Sequence, residues 1–345
     1  MLLGALLLAP LAGGAAPSAP LMQERRARWY ADLEEGQRAA REAGKHVLID
    51  FSGAGWSAPS REFERAVLGR TEFADGVEGG FVLVRLDFDA DLRARQDLPH
   101  AARNDALRRR LGIEVLPTLV LMTAEGQPYQ SFGLEQLDAG GEPSRIASAF
   151  TQRLVQAQAR AASLERAVPE ILRTVVRARG ADEASAAADE AIDLLAGAGE
   201  HPLARPLVPL VQRVLEVSGI EPERERAAVG ALAAAAVVDD ALIARALRLD
   251  PANAAGLPEA ALAGAFRGPL EPRRVPELLA RAEALMTGAP VFDRARAARL
   301  YADAASWARE QLEDAGRAAR FARFALALEP GDRALRTMLE SLAGG

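Results

Sequence analysis

The sequence predicts an α/β domain followed by an all-α domain. Two observations carry this. Short apolar runs alternate with helix-patterned stretches up to about residue 165, and beyond it no strand pattern survives. A third observation sets the scale: at 345 residues, half of them apolar and about a quarter charged, the chain is long enough for two buried cores. The expected divisions are residues 1–20 as a signal peptide or hydrophobic anchor, 22–160 as the α/β domain and 165–345 as the helical domain.

The elements follow in order. Met1 to Leu11 is apolar and is followed by small residues through Ala19, the pattern of a secretory signal, although no Lys or Arg precedes it. The run is too short and too broken by Gly and Pro for a good span of about 20 residues. Export to the periplasm or cell envelope is therefore expected, with no stable membrane insertion unless this segment is an uncleaved anchor. From Met22 the spacing predicts a helix that stops at Gly44. His46 to Phe51 reads as a buried strand bounded by Ser52-Gly53, Ser57 to Leu68 as a helix, and Phe81 to Asp87 as a second buried strand. Ala101 to Leu111 is helical. Thr118 to Met122, a turn at Glu125-Gly126 and Gln127 to Phe132 make a hairpin, and a helix begins at about Ser144. Strands joined through helices imply a mixed sheet covered on both faces.

The tail is alanine-rich and punctuated at Pro169, Gly180, Pro202, Gly219, Pro251, Pro269 and Gly288. Two helices end alike, at Ala246-Leu247-Arg248-Leu249-Asp250-Pro251 and Ala325-Leu326-Ala327-Leu328-Glu329-Pro330, which resembles the end of the second helix of a tetratricopeptide repeat. Ala318 fits a small-residue position of that repeat. Ala322 stands where an aromatic is usual, and the two endings are not a multiple of 34 residues apart. Degenerate helical hairpins and an unrelated bundle both stay open.

Charge and composition narrow the function. A formal charge of −6 argues against a nucleic-acid partner, which needs a basic face. Of the 42 basic residues only Lys45 is lysine, a composition bias with no functional weight. Asp87, Asp89 and Asp91 alternate like a calcium loop, but Leu92 and Leu98 occupy the glycine and carboxylate positions. His46, His100 and His201 have no metal-ligand spacing, and no usual phosphate loop is present. No metal and no cofactor is expected. Arg108-Arg109-Arg110 suits the negative end of a helix dipole and needs no ligand.

One segment carries chemistry. Asp50-Phe51-Ser52-Gly53-Ala54-Gly55-Trp56-Ser57-Ala58-Pro59-Ser60, with Leu116-Pro117-Thr118 further on, resembles the thioredoxin-like superfamily, particularly exported members with one extra residue before the active-site tryptophan. The matching motifs run from Lys45 to Phe132. The resemblance implies a thioredoxin fold in which Ser57 and Ser60 occupy the two cysteine positions. It also implies that Asp50 sits where the family keeps a buried carboxylate, and that Pro117 is the cis-proline beside a peptide groove.

The chain has no cysteine, and a serine hydroxyl neither ionises near neutrality nor has a two-electron couple. Thiol-disulfide exchange is therefore excluded. Ser57 reads as a helix N-cap. A serine nucleophile would need a base and an orienting group, and the motif holds no histidine. Asp50 is then either a vestige or a hydrogen-bonded core residue. Trp56 is either an anchor at the groove rim or part of the core, and Leu116, Pro117 and Thr118 form either a working groove or a stabilising turn.

The expected function is a non-catalytic exported protein that binds or scaffolds a protein or peptide. The alternative is a component of a thioredoxin-family redox pathway, or an unrecognised enzyme using the same cleft.

Overall fold

The computed structural model describes residues 28–88, 100–134, 142–268 and 270–344. The expected signal segment and most of the Asp87–Asp91 loop lie outside them. The sheet has five strands: β1 Trp29–Tyr30, β2 His46–Ser52, β3 Phe81–Asp87, β4 Thr118–Met122 and β5 Pro128–Phe132, in the spatial order β1-β3-β2-β4-β5. β3 runs parallel to both β1 and β2. β4 and β5 are joined at the predicted turn, where Thr123 N–H donates to the Gln127 carbonyl (2.9 Å) and Gly126 takes a positive φ of 94° that glycine allows freely. Every residue of β2 is buried, including His46, Asp50 and Ser52 among its apolar neighbours.

Several helices depart from expectation. Of the helix predicted over Met22–Gly44, residues 22–27 lie outside the described residues, and within them α1 is Leu33–Ala43, preceded by β1. Asp32 explains the start, because its carboxylate accepts from Glu35 N–H (2.9 Å) as an N-cap. Ahead of it, Trp29 and Tyr30 suit a strand better than a helix, and Trp29 stacks on Phe73. The predicted Ser57–Leu68 helix is α2, Ala58–Phe63, continued by a π-helical turn over Glu64–Leu68. A further helix, α3 Thr71–Glu78, was not anticipated. It buries Phe73, Ala74 and Val77, a spacing of one, three and four that was legible. α4 is Ala101–Arg110, where Arg108 donates to the Ile113 and Glu114 carbonyls just beyond the helix end.

The largest correction concerns Pro169. α5 spans Pro143–Arg177 and passes through Pro169 without ending. Its buried stripe of Ala147, Phe150, Leu154, Ala161, Leu164, Val168 and Ile171 keeps helical period across the proline, which itself faces solvent. A lost backbone bond at a wet surface costs less than a broken apolar stripe.

The chain divides into two compact units, residues 1–119 with 132–155, and residues 120–131 with 156–345. The β4–β5 turn region therefore groups with the helices, which the sequence did not suggest. The second unit continues with α6 Ala181–Ala198, a 3₁₀ segment at Pro202–Leu207, α7 Val208–Val214, α8 Pro222–Ala234, α9 Asp240–Leu249, α10 Leu257–Arg267, α11 Val275–Gly288, α12 Arg294–Leu312, α13 Ala315–Ala327 and α14 Arg333–Gly344.

Large alanine content lets these helices approach closely. Ala297, Ala298, Ala302, Ala304, Ala305 and Ala308 of α12 are all buried, and Ala318 and Ala322 of α13 lie against it. The α9–α10 connection is tied by a buried polar knot. Asp250 accepts from the N–H groups of Ala254, Ala255 and Leu257, while Glu259 accepts from those of Phe292 and Asp293. Each buried carboxylate thus has several donors, the condition for burying it.

Candidate functional site

The segment between β2 and α2 is held by its own hydroxyls and backbone. Ser57, at φ −80° and ψ 117°, is the N-cap of α2, and its Oγ accepts from Ser60 N–H (3.3 Å). Pro59 falls in the first turn, where its missing N–H is harmless. Ser60 Oγ accepts in turn from Gly53 N–H (3.2 Å), and the Gly53 carbonyl receives Trp56 N–H (3.0 Å) and Ser57 N–H (2.7 Å). Both serines are buried. The two hydroxyls are therefore spent on fixing the loop.

Trp56 projects from this loop with 47% of its surface open, its indole N–H donating to the Phe88 carbonyl (2.6 Å) at the end of β3. The open indole is anchored at one end, and Gly53 makes room for it. A Cβ on Gly53 would come within 3.1 Å of the ring.

The Leu116–Pro117 bond is cis, and both residues are buried. Thr118 Oγ1 donates to the Val115 carbonyl (2.8 Å), which turns Val115 outward at 69% exposure. This turn opens β4, the sheet neighbour of β2. Hydrogen bonds bring Ser57, Ser60, Gly53 and Trp56 together. They do not join that group to Leu116, Pro117 or Thr118.

Asp50 lies two residues before the end of β2 and is 1% exposed. Its Oδ2 accepts from Arg85 Nε (2.8 Å), directly across the parallel register in which Asp50 faces Arg85. Arg85 also pairs with Glu64 in the π-helical turn, and its guanidinium lies 4.4 Å from the centre of the Trp29 ring. Asp50 Oδ1 has no partner. Burial raises the Asp50 carboxyl to about 6, outweighing the pull of Arg85 in the opposite direction.

Arg85 and Glu64 escaped the sequence reading. The signal was present, because Asp50 and Arg85 are each the fifth residue of their strand and each follows a run of three or four apolar residues. Parallel strands starting in register place such residues side by side.

The other polar candidates have structural duties. His46 is buried in β2, His100 lies 3.3 Å from Asp32, and His201 stacks on Tyr129 and accepts from Leu203 N–H. Among the described residues no group of His, Cys, Asp and Glu could hold a metal ion, and no helix is long and apolar enough to cross a membrane.

A family model described as thioredoxin-like matches residues 28–124, and that segment is a thioredoxin-like domain. The thioredoxin-related protein DsbJ of Chlamydia pneumoniae is 29% identical over 106 residues, covering 30% of this chain and 30% of that relative. The chain thus matches less than a third of that relative's length. A solved structure of DsbH oxidoreductase aligns at 18% identity with a TM-score of 0.34, covering 43% of this chain and 94% of that one. With no cysteine in its 345 residues, the chain has no thiol-disulfide exchange chemistry of its own.

Proposed function

We propose that the protein is an exported, non-catalytic binding protein that holds an extended segment of a protein partner between Trp56 and the Leu116-Pro117-Thr118 turn. The observation that carries this reading is a half-open indole held in place beside two buried serines, Ser57 and Ser60, whose hydroxyls fix the loop. A loop retained only for packing has no use for an exposed tryptophan, whereas a groove does, because an aromatic anchor supplies apolar area at low entropic cost. The exposed Val115 beside the cis bond adds a second apolar contact. Strand-like pairing with the turn's backbone would supply the affinity, and the two apolar groups the selectivity.

The test is an array of extended peptides tiled from exported proteins, probed with the full chain and with Trp56→Ala. Apolar-rich peptides should be retained, and the variant should lose on the order of tenfold in affinity. Equal binding by the variant would place the site elsewhere.

A second reading is favoured by the likeness to a protein named as thioredoxin-related: a component of a redox pathway that presents partners to thiol enzymes. It predicts co-purification with a cysteine-bearing oxidoreductase from the cell envelope. The export both readings assume is tested by fractionation and by sequencing the mature N-terminus, which should lie near Ala19 to Met22.

A further inference from the structure

The second unit holds a cleft of about 750 Å³, within the range of roughly 300–1,000 Å³ typical of pockets that enclose a small ligand. Its floor is apolar and buried, formed by Leu215 after α7, Leu232 of α8, Leu242 of α9 and Ala265 of α10. Val237 and Val238 of the α8–α9 turn extend one wall, which also carries Asp239 and Arg245. The other wall is one side of the 3₁₀ segment and α7, where Arg205, Gln212 and Glu216 recur at helical spacing and all three are exposed.

The two walls differ in what their polar groups are doing. Asp239 accepts from Leu242 N–H (2.7 Å) to cap α9, and Arg245 pairs with the buried Glu225 (2.8 Å). Among the described residues, the side chains of Arg205, Gln212 and Glu216 have no hydrogen bond or ion pair. We propose that the cleft is a binding site for a free oligopeptide of about five residues with apolar side chains, its carboxylate on Arg205 and its amino group on Glu216.

Length and charge both select this occupant. Arg205 and Glu216 stand about 17 Å apart along the 3₁₀ and helical axis, and five residues of extended chain span about 16 Å. A cation at one end and an anion at the other complement the two termini of a peptide, and Gln212 between them offers the donor and the acceptor that a backbone amide needs. The apolar floor takes side chains from alternate residues of the extended chain. A fatty acid would satisfy Arg205 but lay its chain against Glu216. The cleft needs nothing from the Trp56 groove, whose residues belong to the first unit.

Calorimetric titration of the full chain with the peptide Leu-Ala-Val-Ala-Leu, both termini free, should show saturable binding at one site, in the wild type and equally in Trp56→Ala. Amidating the peptide's C-terminus or acetylating its N-terminus should each weaken binding about tenfold by removing a charge-assisted hydrogen bond. Arg205→Gln should bind acid and amide alike while keeping the penalty for acetylation, and Glu216→Gln should do the reverse. Each variant's surviving preference shows that its cleft is folded. The inference is overturned if the pentapeptide does not bind, if blocking its termini changes nothing, or if dodecanoate or a ten-residue peptide of the same composition binds as tightly. Loss of pentapeptide binding in Trp56→Ala would overturn it too, by assigning that binding to the groove, whereas failure of the groove reading leaves the cleft unaffected.

Discussion

Ser57 and Ser60 both spend their hydroxyls inside the loop, one capping α2 and the other accepting from Gly53 N–H. A helix start can stabilise a thiolate, but a hydroxyl at this one caps the helix and does not ionise. Purified protein should therefore reduce insulin in the presence of dithiothreitol no faster than buffer, as followed by turbidity. Replacing both serines with cysteine should yield an intramolecular disulfide under air, detected by mass after alkylation, because the capped turn retains the spacing such a bond needs. Reduction by that variant would show that only the two sulfurs are missing. Absence of the bond would show that the hydroxyl pattern has reshaped the loop.

At Asp50 the sign of the pH effect can be worked out. Its folded value, about 6, lies above the ordinary 3.8, so between these limits the folded state binds the proton and the unfolded state does not. This group's contribution to stability is most favourable at low pH and declines as pH rises from about 4 to about 6, by roughly 3 kcal/mol in all. Urea unfolding should show that decline in the wild type and its absence in Asp50→Asn. An unchanged slope in the variant would assign the effect to another carboxylate.

At the scale of elements, the helices of the second unit depend on small residues as much as on large ones. Gly264 of α10 lies under the turn that follows α8, where an added Cβ would be 2.5 Å from the Ala233 carbonyl oxygen and 2.9 Å from Val238. Backbone cannot yield as a side chain can. Gly264→Ala should therefore destabilise by about 1 to 3 kcal/mol despite the better helix propensity of alanine. Gly197 in α6 is the control, with no atom within 4 Å of an added Cβ. Gly197→Ala should stabilise by up to about 1 kcal/mol. Thermal denaturation of the two variants should shift in opposite directions.

The elements also show where pattern reading succeeds. β2, β3 and β4 are legible because a largely apolar run of five to seven residues between turn signals has few other uses, and β5 follows from the turn at Glu125-Gly126. α3 was passed over because eight residues between two longer elements give a weak periodic signal. Pro169 lies on the solvent face of α5, where a proline does not end the helix.

At the scale of the whole molecule, the boundary is less simple than the change from strands to helices suggests. α5 runs through the expected break, and residues 120–131 group with the helical unit, where Tyr129 stacks on His201 at 5.8 Å between ring centres. A chain ending after Arg160 would lose His201 and the rest of that packing. We expect it to fold, because the parallel β1-β3-β2 core lies wholly before that point, but with lower stability. Amides of the β4–β5 hairpin should lose hydrogen-exchange protection while those of β2 and β3 keep theirs. Equal protection across the sheet would show that the helices contribute nothing to the hairpin.

The chemistry this protein lacks was decided by sequence alone. Whether a thiol exists is a matter of composition, and no fold supplies a sulfur atom to a chain without one. The α/β-then-α order was equally local, since each strand and most helices are written in runs shorter than twenty residues. What the serines and Asp50 do was decided only by tertiary structure. The partners are distant in sequence or perpendicular to its patterns: Arg85 is 35 residues from Asp50, the Phe88 carbonyl is 32 from Trp56, and the π turn that presents Glu64 has no compositional signature. Strand register sets these pairings, and register is fixed by how two apolar runs share one core rather than by either run itself.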